Sequence, residues 1–162
     1  MTLSQQLQAA RVANDCTTAQ TLAAQAHSND IFRTLIYAVS EKQHDFTVRL
    51  YPYLSEQHQG DVLCLAVETR NNALVRLLLP HADPLFNNSA ALQMASATQN
   101  QEIFDMLYPL SQPTKALKDM KKYSRAFEYK MLEDALEQDK IHQKLSKSVS
   151  KLVEKSPAAR KI

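Results

Sequence analysis

Apolar residues along this chain recur in a unit of 28 or 29 residues. Residues 63–84 read LCLAVETRNNALVRLLLPHADP, and residues 92–113 read LQMASATQNQEIFDMLYPLSQP, 29 positions later. Two earlier copies precede them at intervals of 28. This period predicts an array of similar small units. Three columns hold through all four copies: Leu7/Leu35/Leu63/Leu92, Ala10/Ala38/Ala66/Ala95 and Leu22/Leu50/Leu78/Leu107.

Each unit is predicted to be helix, turn, helix and loop. The recurring Leu and Ala are three residues apart, so they share one helical face, and the small Ala lets a neighbouring helix approach. A polar turn such as TRNN follows, and then a second apolar stripe such as Leu74 and Leu78. Pro52, Pro80 and Pro109 mark the end of the second helix, because proline cannot supply an interior hydrogen bond. One such pair cannot bury its apolar faces alone, so we expect an all-α solenoid of about four stacked units.

The segment LLLPHADPLFNNSAALQMA, residues 77–95, resembles the ankyrin repeat. SAALQMA stands in for the first helix of that family, VRLLL for the second and ADP for the loop entry. The units are shorter than the roughly 33 residues of an ankyrin unit, so the β-hairpin fingers should be short or absent. The turn glycines of the family are missing, and Asn71, Asn72 and Asn100 are expected to take the left-handed conformation instead.

The resemblance covers residues 3–113 and is best in the third and fourth units. The unit boundaries are expected at residues 3–29, 30–57, 58–86 and 87–113. A TPR-type helical array is the structural alternative, but the sequence has neither a 34-residue period nor the Trp/Tyr/Pro pattern of that family.

The charge of the chain changes sign after Pro113, where the repeat fades. Residues 1–113 carry 6 Lys/Arg against 10 Asp/Glu, whereas residues 114–162 carry 13 against 7. In the basic segment 114–156, Thr114 is expected to cap a helix whose Ala116, Leu117 and Met120 cover the last repeat. The sequence leaves open whether this segment is one helix or two broken near residues 137–140. Residues 157–162 are predicted to be a disordered tail.

Two interpretations of the basic segment stay open. In the first, its helices cap the array and the lysines form a solvated face. In the second, residues 141–153 form an amphipathic basic helix that engages a partner, a membrane surface or a second copy of the chain. Nucleic acid is a weaker third alternative, since the aromatic residues are few. The apolar stripe would comprise Ile141, Leu145, Val149 and Leu152, backed by Lys140, Lys144, Lys147, Lys151 and Lys155.

The sequence offers no catalytic, metal-binding or cofactor-binding set, and we expect a non-enzyme. A single glycine, Gly60, rules out Gly-rich phosphate loops. The five histidines are scattered, without metal-ligand spacing to another His or to Cys. Cys64 is expected to be a buried, inert thiol. Cys16 lies in an inter-helix turn with no base nearby in sequence.

A cytoplasmic location is expected. Two cysteines suggest a reducing compartment, no apolar run approaches the roughly 18 residues of a membrane span, and the first residues lack the features of a secretory signal. Small ankyrin-like proteins also occur among bacterial effectors and phage-encoded inhibitors, and the Gln- and Asn-rich composition fits such an origin. Delivery into a host cell therefore stays open.

The resemblance implies a protein–protein interaction module, an adaptor or an inhibitor, that binds its partner through the concave face of the array. Contacts in such families come from loop tips and from positions five and six residues after the first-helix Leu. Phe86 could be an interface anchor or could fold back to cover the stack. Carried over, the helix-end positions are Ser40, Glu41, Glu68, Thr69, Ala97 and Thr98, and the loop positions are Gln57, His58, Phe86, Asn87 and Asn88.

Overall fold

The computed structural model describes residues 1–156, and within them the protein consists of ten α-helices without a β-strand. The expected all-α class is confirmed, and the tail expected at residues 157–162 lies outside the described residues. Short 3₁₀ turns at Tyr51–Tyr53, Leu79–His81 and Tyr108–Leu110 follow the fourth, sixth and eighth helices. The helices are α1 Leu3–Val12, α2 Cys16–Ala23, α3 Ser28–Ser40, α4 His44–Leu50, α5 Glu56–Glu68, α6 Asn72–Leu78, α7 Phe86–Ala97, α8 Gln101–Leu107, α9 Pro113–Tyr123 and α10 Ala126–Glu154.

The first eight helices form two layers. Helices α1, α3, α5 and α7 pack side by side in chain order, α2, α4, α6 and α8 form the second layer, and each odd-numbered helix packs on the even-numbered helix after it. The three repeat columns of the sequence lie in the core, where every member is buried except the half-buried Leu22. The period of the sequence is therefore also the period of the packing.

The turn after the first helix of each unit has one repeated backbone geometry. The residue two positions past the helix end has a positive φ in all four units: 52° at Asn14, 57° at Lys42, 53° at Arg70 and 52° at Gln99. The next amide then donates a hydrogen bond of 2.8–3.0 Å to the carbonyl of the repeated Ala. This pattern is the Schellman motif, whose hydrogen bonds offset the cost of a left-handed residue that is not glycine.

The expectation that Asn71, Asn72 and Asn100 adopt the left-handed conformation is wrong. Asn71 and Asn100 have φ values of −86° and −92°, and their side chains accept hydrogen bonds from the amides of Leu74 and Ile103. Asn72 is the first residue of α6. The left-handed residue comes one position earlier, because the asparagine oxygen satisfies a free amide at the start of the next helix.

Polar side chains join neighbouring units along this turn edge. The Arg11 guanidinium lies 2.5 Å from the Glu41 carboxylate, and the Gln43 side chain donates a 3.0 Å hydrogen bond to the Arg11 carbonyl. Two units further on, Asn100 donates to Asn72 at 2.9 Å. These hydrogen bonds and the ion pair act together with the apolar core to align each helical pair with the next.

Helices α9 and α10 form a fifth pair that covers the end of the array. Both pack against α7, where Ala116, Met120 and Leu132 are buried. Helix α9 begins at Pro113, so Thr114 is its second residue and the expectation that Thr114 is the N-cap is wrong; proline already fits the first helical position. The helices separate at Ser124, and α10 runs unbroken through residues 137–140.

Candidate interaction surface

The structure divides the sequence-predicted binding residues between two edges of the molecule. One group, Ser40, Glu41, Glu68, Thr69, Ala97 and Thr98, lies at the C-terminal ends of α3, α5 and α7. The other, Gln57, His58, Phe86, Asn87 and Asn88, lies at the N-terminal ends of α5 and α7. Helix α5 has 13 residues, so the two edges are about 20 Å apart. They do not form one compact site.

At the turn edge, several predicted residues hold the array together. Glu41 pairs with Arg11, and the Thr98 carbonyl accepts a hydrogen bond from the Arg70 guanidinium. The hydroxyls of Ser40, Thr69 and Thr98 donate back to carbonyls of their own helices. Glu68 is exposed at the last position of α5. Of this group, Glu68 is the charged side chain best placed to meet a partner.

At the loop edge, His58 connects α5 to α3. Its ring stacks on Phe32 with centroids 4.6 Å apart and planes within 7°, and its Nδ1 lies 2.6 Å from the Ser28 hydroxyl. These contacts leave the ring half-buried. Gln57, which is exposed, donates to Asp61 one turn later in the same helix. The histidine is therefore a packing residue of this edge.

Phe86 covers Gly60, the single glycine of the chain. Gly60 is buried inside α5, and a methyl group added there would overlap the Phe86 ring. After Phe86, three residues in succession have positive φ: Asn87 at 47°, Asn88 at 56° and Ser89 at 63°. The Ser89 hydroxyl accepts a 2.9 Å hydrogen bond from the amide before α9. Of the two alternatives for Phe86, the structure favours the one in which the ring folds back on the stack.

Replacing Gly60 by alanine is expected to have opposite effects in two backgrounds. In the wild-type chain the new methyl displaces the Phe86 ring, and this overpacking outweighs the helix-propensity gain to give a net loss of about 1 kcal/mol. In a Phe86→Ala background the clash is absent, so the same change should raise stability by about 1 kcal/mol. Urea denaturation of the four chains measures both values, and a gain in both backgrounds would contradict the contact.

A surface that the sequence predictions missed lies on the outward side of the first helices. Two residues after each core leucine comes an apolar residue: Ala9, Tyr37, Leu65 and Met94. A two-residue step turns about 200° around a helix, so these positions lie off the leucine face, although Leu65 and Met94 still pack against the edge of the core. Ala9 and Tyr37 are exposed, and Leu65 and Met94 are half-buried. We call this column, together with Val12 at the end of α1, the first-helix face.

The signal for this face was present in the repeat. All four members of the column are apolar although they lie outside the buried columns, and they recur at the same intervals of 28, 28 and 29. Because α1, α3, α5 and α7 pack in chain order, the four side chains form a row across the array. A row of apolar side chains on a polar surface is typical of an interaction site.

Tyr37 is the most anchored side chain of the first-helix face. Its ring lies 5.5 Å from the Arg11 guanidinium carbon, and Arg11 itself is buried and paired with Glu41. This arrangement restrains the ring while 56% of the residue stays accessible. A restrained, accessible aromatic is the type of residue that dominates binding energy in protein interfaces.

Neither cysteine is activated for chemistry. Burial raises the pKa of the Cys16 thiol, and a 3.6 Å contact with Asp45 raises it further. Burial, with the nearby carboxylates of Asp61 and Glu68, raises the pKa of Cys64 to about 11. A nucleophilic thiol requires the opposite shift. Within residues 1–156 we also find no cluster of three or more His, Cys, Asp or Glu suited to hold a metal ion.

The described residues thus define an all-α protein of stacked helical pairs with an apolar row on one layer. Among these residues, no helix has both the length and the hydrophobicity to cross a membrane. No protein-family model matches the chain, and neither the curated proteins nor the solved structures contain a match.

Proposed function

We propose that this protein is a non-enzymatic protein–protein interaction module, an adaptor or an inhibitor, built as an ankyrin-like solenoid. Its partner is a protein, bound across the first-helix face, which corresponds to the concave face in arrays of that type. The observation that carries the proposal is the row of apolar residues Ala9, Tyr37, Leu65 and Met94, exposed or half-buried at equivalent positions of a repeated scaffold.

The surroundings of the first-helix face support this proposal. The exposed charges of Arg33 and Glu68 flank the row on α3 and α5. An apolar centre with a polar rim is the usual anatomy of a protein interface, and the rim charges guide which partner binds. The scaffold beneath is rigid, since the core leucines of all four units are buried.

The proposal is tested by a double variant, Tyr37→Ala with Glu68→Arg. Removing an anchoring aromatic and reversing a rim charge is expected to weaken partner binding at least about 30-fold. Affinity capture from native lysate with quantitative mass spectrometry identifies the partner, and titration of the purified partner measures the loss.

The matched control is Tyr53→Ala with Glu56→Arg, which makes the same chemical changes at exposed residues near the loop edge. The control is expected to keep the partner. If the Tyr37/Glu68 variant has the circular dichroism and melting temperature of the wild type and still binds every partner with unchanged affinity, the first-helix face is not the binding surface.

A further inference from the structure

The C-terminal half of α10 extends beyond the rest of the structure. Every residue from 137 to 156 is exposed. The helical part of this stretch carries large apolar side chains in water, with exposures of 49% at Ile141, 58% at Leu145 and 70% at Leu152. The Tyr108 hydroxyl donates a 2.6 Å hydrogen bond to Asp139 at the start of this stretch. Helical turns with so little tertiary contact are marginal on their own, and an exposed apolar stripe marks a surface that binds something.

The stripe begins in the half of α10 that packs on the array. From residue 127 to residue 152, positions spaced alternately by four and three form a heptad seam, the pattern of paired helices. Leu132 and Leu136, which face the array, lie on a different side of the helix. The stripe therefore borders the contact that caps the array, and Met131 belongs to both. Its members are Phe127, Met131, Asp134, Gln138, Ile141, Leu145, Ser148 and Leu152.

The first half of this seam forms one wall of a groove whose other wall is α8. The groove has a volume of about 440 Å³, and an adjoining part near Phe127 has about 430 Å³. Three carboxylates line it, Asp105 from α8 and Asp134 and Asp139 from α10, against one lysine, Lys130, which pairs with Asp134. The exposed half of α10 has the opposite charge, with five lysines against Glu154 alone in residues 140–155. One helix thus contains an acidic groove at one end and a basic apolar stripe at the other.

We propose that the occupant of this groove is a second copy of the chain, with the two α10 helices paired antiparallel. In that arrangement the basic half of each helix lies along the acidic groove of the other, and a two-fold axis passes near residues 139–140. Leu152 of one copy then lies opposite Phe127 of the other, and Ile141 opposite Gln138. A parallel pairing would instead set the two lysine-rich ends side by side.

The size of the contact predicts a reversible dimer. The apolar members of the seam become buried in both copies, so each contributes to the interface twice. They are Phe127, Met131, Ile141, Leu145 and Leu152. We estimate a total buried area of about 1,200 Å², the lower limit of the usual range for specific interfaces. Polar residues at three seam positions weaken the pairing and fix its register. We expect a weak dimer, with a dissociation constant on the order of 10 µM.

Sedimentation velocity of the full chain tests the proposal. The protein concentration is varied from about one tenth of that dissociation constant to about ten times its value. The pair of substitutions Leu145→Asp and Leu152→Asp is expected to raise the dissociation constant at least about 100-fold. Both residues are exposed, so we expect the fold to be unaffected. The matched control, Gln143→Asp with Ser150→Asp, adds the same two charges on the opposite side of α10 and should still dimerise.

A second variant tests the groove itself. Asp105→Lys is expected to weaken the dimer about tenfold, whereas Glu68→Arg, on α5 and outside the groove lining, should leave it unchanged. The proposal is overturned if the chain stays monomeric at every concentration. It is also overturned if the dimer forms equally well with the Leu145/Leu152 substitutions and with Asp105→Lys. Binding of a monomeric chain to vesicles of anionic lipid, abolished by the same leucine changes, assigns the stripe to a membrane and overturns it too. The dimer proposal and the proposal of partner binding at the first-helix face can be rejected independently, because different substitutions test them.

Discussion

Replacing Leu63 by alanine is expected to lower the free energy of unfolding by about 3 kcal/mol. Leu63 is 1% exposed in α5, which packs against both α3 and α7. Truncating a leucine in such a site removes its transfer free energy and leaves a cavity that close-packed neighbours fill only in part. Urea denaturation with linear extrapolation measures the loss.

Two comparisons make this prediction specific to the packing. Leu77→Ala is the same chemical change in the same unit, at a residue that is 48% exposed, and should cost less than about 1 kcal/mol. Leu7→Ala removes an equally buried leucine from α1, which has a first-layer neighbour only in α3. There hydrogen exchange should accelerate in α1 and α2 and stay slow in α5. Equal losses at Leu63 and Leu77 would contradict the two-layer core.

The repeat columns made the core predictable. The leucine and alanine columns lie at the interface of the two layers because a helix buries residues spaced by three and four, and the sequence shows that spacing directly. The ends of the second helices were predictable for a similar reason, because Pro52, Pro80 and Pro109 each allow only a short 3₁₀ turn after the helix. In both cases a local rule decides the outcome.

The features that were not predictable depend on contacts between units or on competition between neighbouring residues. Both Arg70 and Asn71 could occupy the left-handed position, and the gain from asparagine as an N-cap decides between them. The ring of Phe86 lies on Gly60, 26 positions earlier, and no local pattern links those two residues. Thr114 lost its expected role because Pro113 already fits the first turn of α9.

The accessibility of the predicted binding residues also depends on contacts between units and could not be predicted from the sequence. Positions five and six after the core leucine do lie at helix ends, but several of those side chains bond within the array, as Glu41 does to Arg11. The column at two residues after the leucine is accessible instead, fully exposed at Tyr37 and half-buried at Leu65. A family resemblance identifies equivalent positions in the repeat. Burial and hydrogen bonding then decide which side chains at those positions can contact a partner.

Raising the pH from 8 to 11.5 is expected to lower the free energy of unfolding by about 3 kcal/mol, chiefly because two buried acids, Cys64 and Tyr51, resist ionisation. Burial, with smaller effects from Cys64 and Asp83, raises the pKa of Tyr51 to about 12, and burial raises the pKa of Cys64 to about 11. In the unfolded chain these groups titrate near 10.0 and 9.0. A pKa raised by folding gives stability that is complete below the unfolded value and is lost as the pH rises towards the folded value.

The window of the alkaline loss therefore opens near pH 9 with Cys64 and continues to about pH 12 with Tyr51. A double variant, Tyr51→Phe with Cys64→Ala, removes both titrations and should show less than half of the wild-type loss. At neutral pH it is itself less stable, by about 1–3 kcal/mol, because the Tyr51 hydroxyl no longer donates to the Gln59 carbonyl at 3.1 Å. The control is Tyr123→Phe, at a residue 85% exposed, which should keep the full loss. Urea denaturation at pH 8 and pH 11.5 compares the three chains, and an equal loss in all of them would place the alkaline sensitivity outside the core formed by α4, α5 and the turn between them.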